Sequence, residues 1–145
     1  MPENNHIEFI PNGTITSPLG FLAGATFVGM KSPGEDKWDM GILMSDKPCI
    51  AAGTFTQNLV RAAPVILSEQ RIANGPIQAI VANSGSANAC VGEQGMVDAV
   101  EMGNLAAEHL NIKPDQVLVA STGLIGAELP MGPIRSRMPR ISVSQ

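Results

Sequence analysis

The stretch from residue 77 to residue 110 organises this chain, and it reads IQAIVANSGSANACVGEQGMVDAVEMGNLAAEHL. It opens with an apolar run at residues 77–82, which predicts a central β-strand. Apolar and small residues then recur at the spacing of one helix face from Met96 to Leu110, which predicts a helix that can approach a sheet closely. Pro114 excludes more helix, and residues 116–120 predict another strand. Strand, helix and strand in this order indicate a layered α+β or α/β fold.

Short apolar runs between Gly, Pro and charged residues predict more strands in the first half of the chain. These runs cover residues 20–30, 38–45 and 49–56, and we expect them to form a meander. Residues 31–37 contain a Pro-Gly pair and clustered charges, so they predict an exposed turn between the first two strands.

Residues 63–74 combine strand and helix signals. Residues 63–68 are rich in β-forming side chains and predict a strand, while residues 69–74 predict one helical turn that stops at Gly75. A second helix is predicted to start within residues 130–140. With 145 residues in all, we expect residues 1–145 to form a single domain without an internal boundary.

The composition argues against several classes of partner. Nine Lys and Arg against thirteen Asp and Glu give a net charge of −4, and only 3% of residues are aromatic, so we expect no nucleic-acid partner. The longest apolar stretch, residues 19–30, is interrupted by Gly and is shorter than the about 20 residues that span a bilayer, so we expect no membrane partner. Charged residues are only 15% of the chain, which hints that more protein covers part of its surface.

The first six residues lack the pattern of a secretory or transit peptide, and we expect a cytoplasmic protein. Cys49 and Cys90 match neither a redox pair nor a zinc site, so both are expected to be reduced and mostly buried. With His6 and His109 as the only histidines, side-chain metal ligation is hard to assemble, and both are expected to be solvated.

The turn at residues 83–90 is a candidate functional segment. It joins the central strand to the helix, and such a turn aims backbone N–H groups and a helix N-terminus at one spot that favours an anion. A plain capping turn explains the same Asn, Ser and Gly residues. Cys90 near the helix start is either a thiol with a lowered pKa or a packed free cysteine.

A second candidate is the segment at residues 120–126, ASTGLIG, directly after a predicted strand. A hydroxyl followed by Gly offers a side-chain donor beside an unobstructed backbone N–H, which is the pair an oxyanion hole needs. Ser121 or Thr122 could instead be a nucleophile, but the G-x-S-x-G elbow and a neighbouring His are both missing. A plain turn at the end of the strand is the third interpretation.

Two further sets of charged residues have a simpler structural explanation. Arg61 could hold a substrate carboxylate with its bidentate fork, although a surface arginine is the simpler interpretation. Glu93 and Asp98 lie on the predicted polar side of the helix with Gln94, Glu101 and Glu108, and we assign them no catalytic role.

Together these stretches resemble the ornithine acetyltransferase family, also called the bifunctional glutamate N-acetyltransferases of arginine biosynthesis. The resemblance covers most of the chain and rests on ordered motifs: GFLA at 20–23, FTQN at 55–58 with AAPV at 62–65, NSGSANAC at 83–90, GEQG at 92–95, VLVASTGLIG at 117–126 and LPM at 129–131. Ser86, where many relatives have Asn, and Val91, where Thr is frequent, are mild departures.

The resemblance implies an αββα-like sandwich of the N-terminal nucleophile type and a precursor that cuts itself ahead of a threonine. That threonine begins the β chain and is the nucleophile, and two α and two β chains form a heterotetramer. The threonine takes the acetyl group from N-acetylornithine and passes it to glutamate. Some members of the family also use acetyl-CoA as a co-substrate. No other cofactor is implied. Thr122 and Gly123 match the family's oxyanion-hole pair, and residues 83–90 are expected to be scaffold near the cavity.

The cleavage junction of this family, an Ala-Thr step followed by Met-Leu, does not occur after Met131. Ala25-Thr26 is followed by Phe27 and lies in a predicted strand. We therefore expect residues 1–145 to be a truncated N-terminal part of the α chain, inactive alone. Three alternatives stay open: a paralogue with a different acyl acceptor, an N-terminal nucleophile aminopeptidase, and a non-catalytic α/β module that binds a small anion at residues 83–92.

Overall fold

The fold is a four-stranded mixed sheet with a layer of helices, seen in a computed structural model that describes residues 9–31 and 37–145. The strands are β1 (Phe21–Thr26), β2 (Met40–Cys49), β3 (Ile77–Ser86) and β4 (Val117–Leu124), and the helices are α1 (Ala63–Asn74), α2 (Gly92–Leu110) and α3 (Met131–Arg137). The strand order is β1-β2-β3-β4, with β1/β2 and β2/β3 antiparallel and β3/β4 parallel. Helix α2 makes the crossover that the parallel pair requires.

The strand-helix-strand prediction for residues 77–120 is confirmed. β3 pairs with β2 on one side and with β4 on the other, so it is central as expected, and it runs on to Ser86. α2 ends where Asn111 adopts the left-handed conformation and its N–H bonds to the carbonyl groups of Ala107 and Glu108. The helix predicted within residues 130–140 is confirmed as α3.

The core lies between the sheet and the helices. It combines alternate side chains of β2, β3 and β4, such as Ile42, Val81 and Val119, with Ala99 and Met102 of α2. Gly103 of α2 lies so close to β4 that a Cβ there would stand 3.2 Å from a methyl group of Val119. The small residues of α2 thus bring the helix against the sheet, as the sequence predicts.

The opposite face of the sheet carries apolar side chains without a helix from the described part of the chain packed on it. Leu43, Ile80 and Leu118 are direct neighbours across three strands and form one row of this face. Ile80 is 37% exposed although it lies on the central strand. We call this surface the open face.

The strand predicted at residues 49–56 is wrong. β2 ends at Cys49, where its pairing with β3 has already shifted register, and no regular element is formed from Ile50 to α1. Ile50 is fully exposed. Local side-chain turns take over instead, because the hydroxyl of Thr56 and the carboxamide of Asn58 accept hydrogen bonds from backbone N–H groups two residues ahead. The meander therefore consists of β1, β2 and β3.

The strand predicted at residues 63–68 is also wrong, because these residues form the first half of α1. Pro64 lies in the first turn of the helix, where its missing N–H costs nothing and its fixed φ suits the helix. The helix ends before Gly75, as predicted.

The predicted position of Asp98 on the polar side of α2 is wrong. Asp98 is buried and accepts a hydrogen bond of 2.7 Å from Gln94. Glu101 is held by Arg135 of α3, and this hydrogen bond lowers the pKa of the Glu101 carboxyl. The exposed turn predicted at residues 31–37 lies mostly outside the described residues.

The predicted α+β layered class is confirmed. Within the part of the chain that the structure describes, no helix is long and apolar enough to cross a membrane.

Candidate active site

β4 is an edge strand, and side chains of α1 cover only part of its free edge. The Ser68 hydroxyl donates to the Val119 carbonyl at 2.7 Å and accepts from the Val119 N–H at 3.0 Å. Arg71 donates to the Val117 carbonyl at 2.5 Å. Burial lowers the pKa of the Arg71 guanidinium, and Asp115 opposes that shift. Two helix side chains thus take the place of a neighbouring strand.

The free edge continues beyond α1 to Gly123. Backbone groups of a strand alternate in direction, so Ser121 and Gly123 direct their N–H and C=O groups the same way as Val119, away from β3. Pairing with β3 continues to Leu124, whose carbonyl accepts from the Ala87 N–H at 2.9 Å. The Gly123 N–H therefore lies at the edge of the sheet and is not used in the β3/β4 ladder.

Thr122 lies on the open face, opposite the helix-covered side chains of Val119 and Ser121, because side chains alternate along a strand. Both Thr122 and Gly123 are exposed. The register partner of Thr122 on β3 is Ser84, so two hydroxyl side chains stand side by side at the carboxyl end of the parallel pair. A hydroxyl and a free backbone N–H therefore adjoin at this point, and their role stays a prediction.

Close backbone contact fixes the position of Gly123. Its φ is +132°, and a Cβ there would stand 2.7 Å from the Gly85 Cα, so only Gly fits. Gly85 has a φ of +134°, and a Cβ there would stand 2.7 Å from the Cβ of Met30. Three backbone segments, around Met30, Gly85 and Gly123, are thus stacked in contact.

The carboxylate of Asp39 holds the outermost of these segments. It is buried and accepts hydrogen bonds from the N–H groups of Val28, Gly29 and Met30 at 2.6, 2.9 and 2.6 Å. The Asp39 carbonyl also accepts from the Ser84 N–H at 2.8 Å. Asp39 therefore joins this loop to the strand that supports Gly123.

Ser121 does not form a nucleophile-base pair. Its hydroxyl is buried without a hydrogen-bond partner among the described residues, and it lines a cavity of about 330 Å³ with Thr54, Thr56 and Ser68. His109 lies elsewhere, where its Nε2 donates to the Ile141 carbonyl at 2.6 Å, so its predicted solvated role is wrong. His6 lies outside the described residues.

Residues 83–90 form a turn held by its own polar side chains. The carboxamide of Asn83 donates to the Ser86 carbonyl at 2.9 Å, and that of Asn88 donates to the Gly95 carbonyl at 2.8 Å. The Ser86 hydroxyl donates to the Ala127 carbonyl at 2.8 Å. These bonds fit the scaffold role that was expected. Cys90 has a φ of +58° and is exposed, so the expectation of two mostly buried thiols is wrong for it.

Arg61 is half-buried and forms an ion pair with Glu69 of α1. It is therefore more than a surface arginine. The cavity that Arg61 lines includes neither Thr122 nor Gly123. Glu93 is exposed in the first turn of α2. Among residues 9–31 and 37–145, no three His, Cys, Asp or Glu side chains come together as metal ligands.

Comparison with known proteins shows the family of this chain. The sequence model of the ArgJ family matches residues 22–145. The chain belongs to the ArgJ family. The arginine biosynthesis bifunctional protein ArgJ of Dehalococcoides mccartyi is 50% identical over 139 residues, which are 96% of this chain and 34% of the relative. ArgJ of Symbiobacterium thermophilum is 55% identical over 119 residues, 82% of this chain and 30% of the relative. The chain thus spans about a third of the length of these curated relatives.

Two solved ArgJ-family structures share the fold. ArgJ of Bacillus halodurans superposes with a TM-score of 0.84 at 37% identity, covering 90% of this chain and 68% of the solved chain. The ornithine acetyltransferase of Mycobacterium tuberculosis, solved in complex with ornithine, gives a TM-score of 0.82 at 34% identity, covering 88% and 68%. The layered fold predicted for this ArgJ-family chain is therefore that of solved family members.

Sequence patterns alone do not identify the residues that hold the site in place. Asp39 directly precedes β2, and Ser68 and Arg71 lie in a segment whose local sequence is divided between strand and helix signals. The spacing of Ser68 and Arg71, three residues apart, is that of one helix face and was the available signal. Asp39 gave no signal, since its three N–H partners lie in a loop about ten residues away.

Proposed function

We propose that this ArgJ-family chain is the N-terminal part of the α chain of an arginine-biosynthesis acetyltransferase and supplies its oxyanion hole. The acetyl group moves from N-acetylornithine, or from acetyl-CoA, to glutamate through an acetyl-threonine on a β chain. The hole consists of the Thr122 hydroxyl and the Gly123 N–H. One feature of the geometry supports this proposal above the others: strand alternation directs the Gly123 N–H away from β3, at the sheet edge beside the exposed Thr122.

The two donors act on charge that develops during acyl transfer. When the threonine oxygen attacks the acetyl carbon, the carbonyl oxygen becomes an oxyanion, and both donors bond to it more strongly than to the neutral carbonyl. The tetrahedral adduct then collapses, the C–N bond breaks, and the ornithine amine leaves with a proton. In the second half-reaction the glutamate amine attacks the acetyl-threonine, and the same donors stabilise the second adduct. This adduct collapses with cleavage of the C–O bond to threonine, whose oxygen takes up the proton that the glutamate amine gives up.

Donors of this kind work best when they do not have to move. The contact of Gly123 with Gly85, and of Gly85 with Met30, fixes the backbone that carries the Gly123 N–H. Asp39 holds the loop that contains Met30 with three short hydrogen bonds. This preorganisation lowers the cost of aligning the donors in the transition state.

The nucleophile belongs to the part of the protein that we propose to follow this chain. In this proposal the precursor cuts itself ahead of a threonine, and the resulting β chain packs against the open face on which Thr122 lies. An α-amino group at the same residue activates the threonine, so no histidine is needed. Two α and two β chains then form the heterotetramer.

The proposal is tested by Thr122→Ala in the complete polypeptide that carries this chain. We expect acetyl transfer from N-acetylornithine to glutamate to fall by at least about tenfold, since loss of one oxyanion donor commonly lowers kcat by about 100- to 1000-fold. The melting temperature should stay close to that of the parent protein, because Thr122 is exposed. Thr14→Ala, at an exposed threonine far from residue 122 along the chain, is the matched control and should transfer acetyl at the parent rate. Unchanged transfer by Thr122→Ala would remove Thr122 from the mechanism.

A further inference from the structure

Leu124 is an apolar side chain that lies exposed beside the two proposed donors. It is 70% exposed, although it belongs to β4 and directly follows Gly123. Because side chains alternate along a strand, Leu124 lies on the same face as Thr122, about 6.6 Å further along β4. Leu124 therefore contributes little to the core, and its function has to be sought at the site.

Hydrogen bonds hold the backbone of Leu124 in place. Leu124 is in register with Ser86 at the end of the β3/β4 ladder, and its carbonyl accepts from the Ala87 N–H at 2.9 Å. Two residues further on, the Gly126 N–H donates to the Ala89 carbonyl at 2.8 Å. The segment after the donors is thus bound to the turn that follows β3, so the Leu124 Cβ stands at a fixed distance from both donors.

The space on the other side of the donors has a different size and polarity. There the cavity of about 330 Å³ follows β4 as far as Ser121, and its wall includes the hydroxyl-bearing Thr54 and Thr56. Neither Gly123 nor Leu124 lines this cavity. The donor pair is therefore flanked by a cavity with hydroxyl groups in its wall on one side and by an apolar side chain on the other.

A carbonyl group bound to the donors has one substituent for each side. When its oxygen accepts from the Thr122 hydroxyl and the Gly123 N–H, the two other substituents of the carbon point away from the oxygen in different directions. The nitrogen-bearing part of an N-acyl amino acid is large and polar, and the cavity beside Ser121 offers room for it. The acyl chain is then directed towards Leu124.

We propose that Leu124 limits the length of the transferred acyl group, an inference that rests on the proposed function. The spacing of about 6.6 Å between the Thr122 and Leu124 positions admits one carbon atom in contact with both side chains, because such contacts are about 3.5 to 4.0 Å long. An acetyl methyl group fits this space, and each further methylene meets the Leu124 side chain. Discrimination by one methylene in an apolar pocket is commonly about 10- to 200-fold.

The test compares N-acetylornithine with N-propionylornithine as donors to glutamate, using the complete polypeptide. In both reactions the amide C–N bond of the donor breaks, ornithine is released, and the acyl group forms a new amide bond with the glutamate amine. The ratio of kcat/KM for propionyl to kcat/KM for acetyl isolates acyl length from a general loss of activity. We expect Leu124→Ala to raise this ratio at least about tenfold over the parent, and Leu124→Val to raise it by a smaller factor.

Ile125→Ala is the matched control. Ile125 is apolar and 71% exposed, much like Leu124, but it lies beyond the end of β4. Its replacement should leave the ratio of propionyl to acetyl transfer at the parent value. Thermal melting of each variant verifies that it is folded, and Leu124→Val carries the test if Leu124→Ala does not fold.

Two outcomes would overturn the role of Leu124 and leave the oxyanion hole untouched. The folded Leu124 variants keep the parent ratio, or Ile125→Ala raises the ratio as much as Leu124→Ala does. A parent polypeptide that transfers no acetyl group would instead overturn the proposed function, and this inference with it. The Thr122→Ala variant tests the oxyanion hole separately, because its readout is the rate of acetyl transfer and not the ratio between two donors.

Discussion

At the scale of single residues, Gly123 combines a conformational demand with a steric one. Residues other than Gly rarely adopt its φ of +132°, and a Cβ at this position would collide with the backbone of Gly85. We predict that Gly123→Ala lowers the free energy of unfolding by at least about 2 kcal/mol, because strain in φ and the collision with Gly85 add together. Urea unfolding followed by circular dichroism measures this loss.

Gly126 separates these two causes. Its φ is +80°, but a Cβ there would meet nothing within 4 Å. Gly126→Ala should therefore carry only the conformational cost, about 1 kcal/mol. Equal losses for the two variants would mean that the contact between Gly123 and Gly85 contributes nothing to stability.

At the scale of elements, α1 stabilises the edge of β4 through side chains. The Ser68 hydroxyl is both donor and acceptor for one residue of the strand, Val119, and all these groups are buried. We predict that Ser68→Ala lowers the free energy of unfolding by about 1 to 3 kcal/mol, because it leaves a buried N–H and a buried carbonyl unpaired. Ser136→Ala on α3, which removes an exposed hydroxyl bonded to the Pro133 carbonyl, should change it by less than about 0.5 kcal/mol. Equal stability of the two variants would show that solvent satisfies Val119 as well as Ser68 does.

The same contacts explain how far the sequence could predict the elements. β3, α2 and β4 follow from local periodicity, which is strong over residues 77–120. α1 does not, because Val65, Ile66 and Leu67 favour strand locally, and the helix is stabilised by distant partners on β4, 46 to 51 residues away. Thr122 and Gly123 could be singled out as a hydroxyl next to Gly. The free edge that exposes the Gly123 N–H depends on where α1 stops covering β4, and only the folded chain contains that information.

At the scale of the whole molecule, the open face indicates that more protein packs on this sheet. Leu43, Ile80 and Leu118 form an apolar row across three strands, and the helices pack on the other face. The chain spans about a third of the length of its curated ArgJ relatives. The other two thirds of such a relative are long enough to cover this row. The low share of charged residues, 15%, agrees with a chain that buries two faces of its sheet.

Ile80 tests this inference in the complete polypeptide. If a second layer covers the open face, Ile80→Gln places a polar side chain between two layers and should lower the free energy of unfolding by at least about 2 kcal/mol. Val97 is an exposed apolar residue on the outer side of α2, where the same change to Gln should cost less than about 0.5 kcal/mol. Chemical unfolding of both variants measures the difference. A small and equal effect at both positions would mean that Ile80 stays in contact with water in the complete protein. The β chain that we propose would then have to reach Thr122 from the sheet edge instead of across its open face.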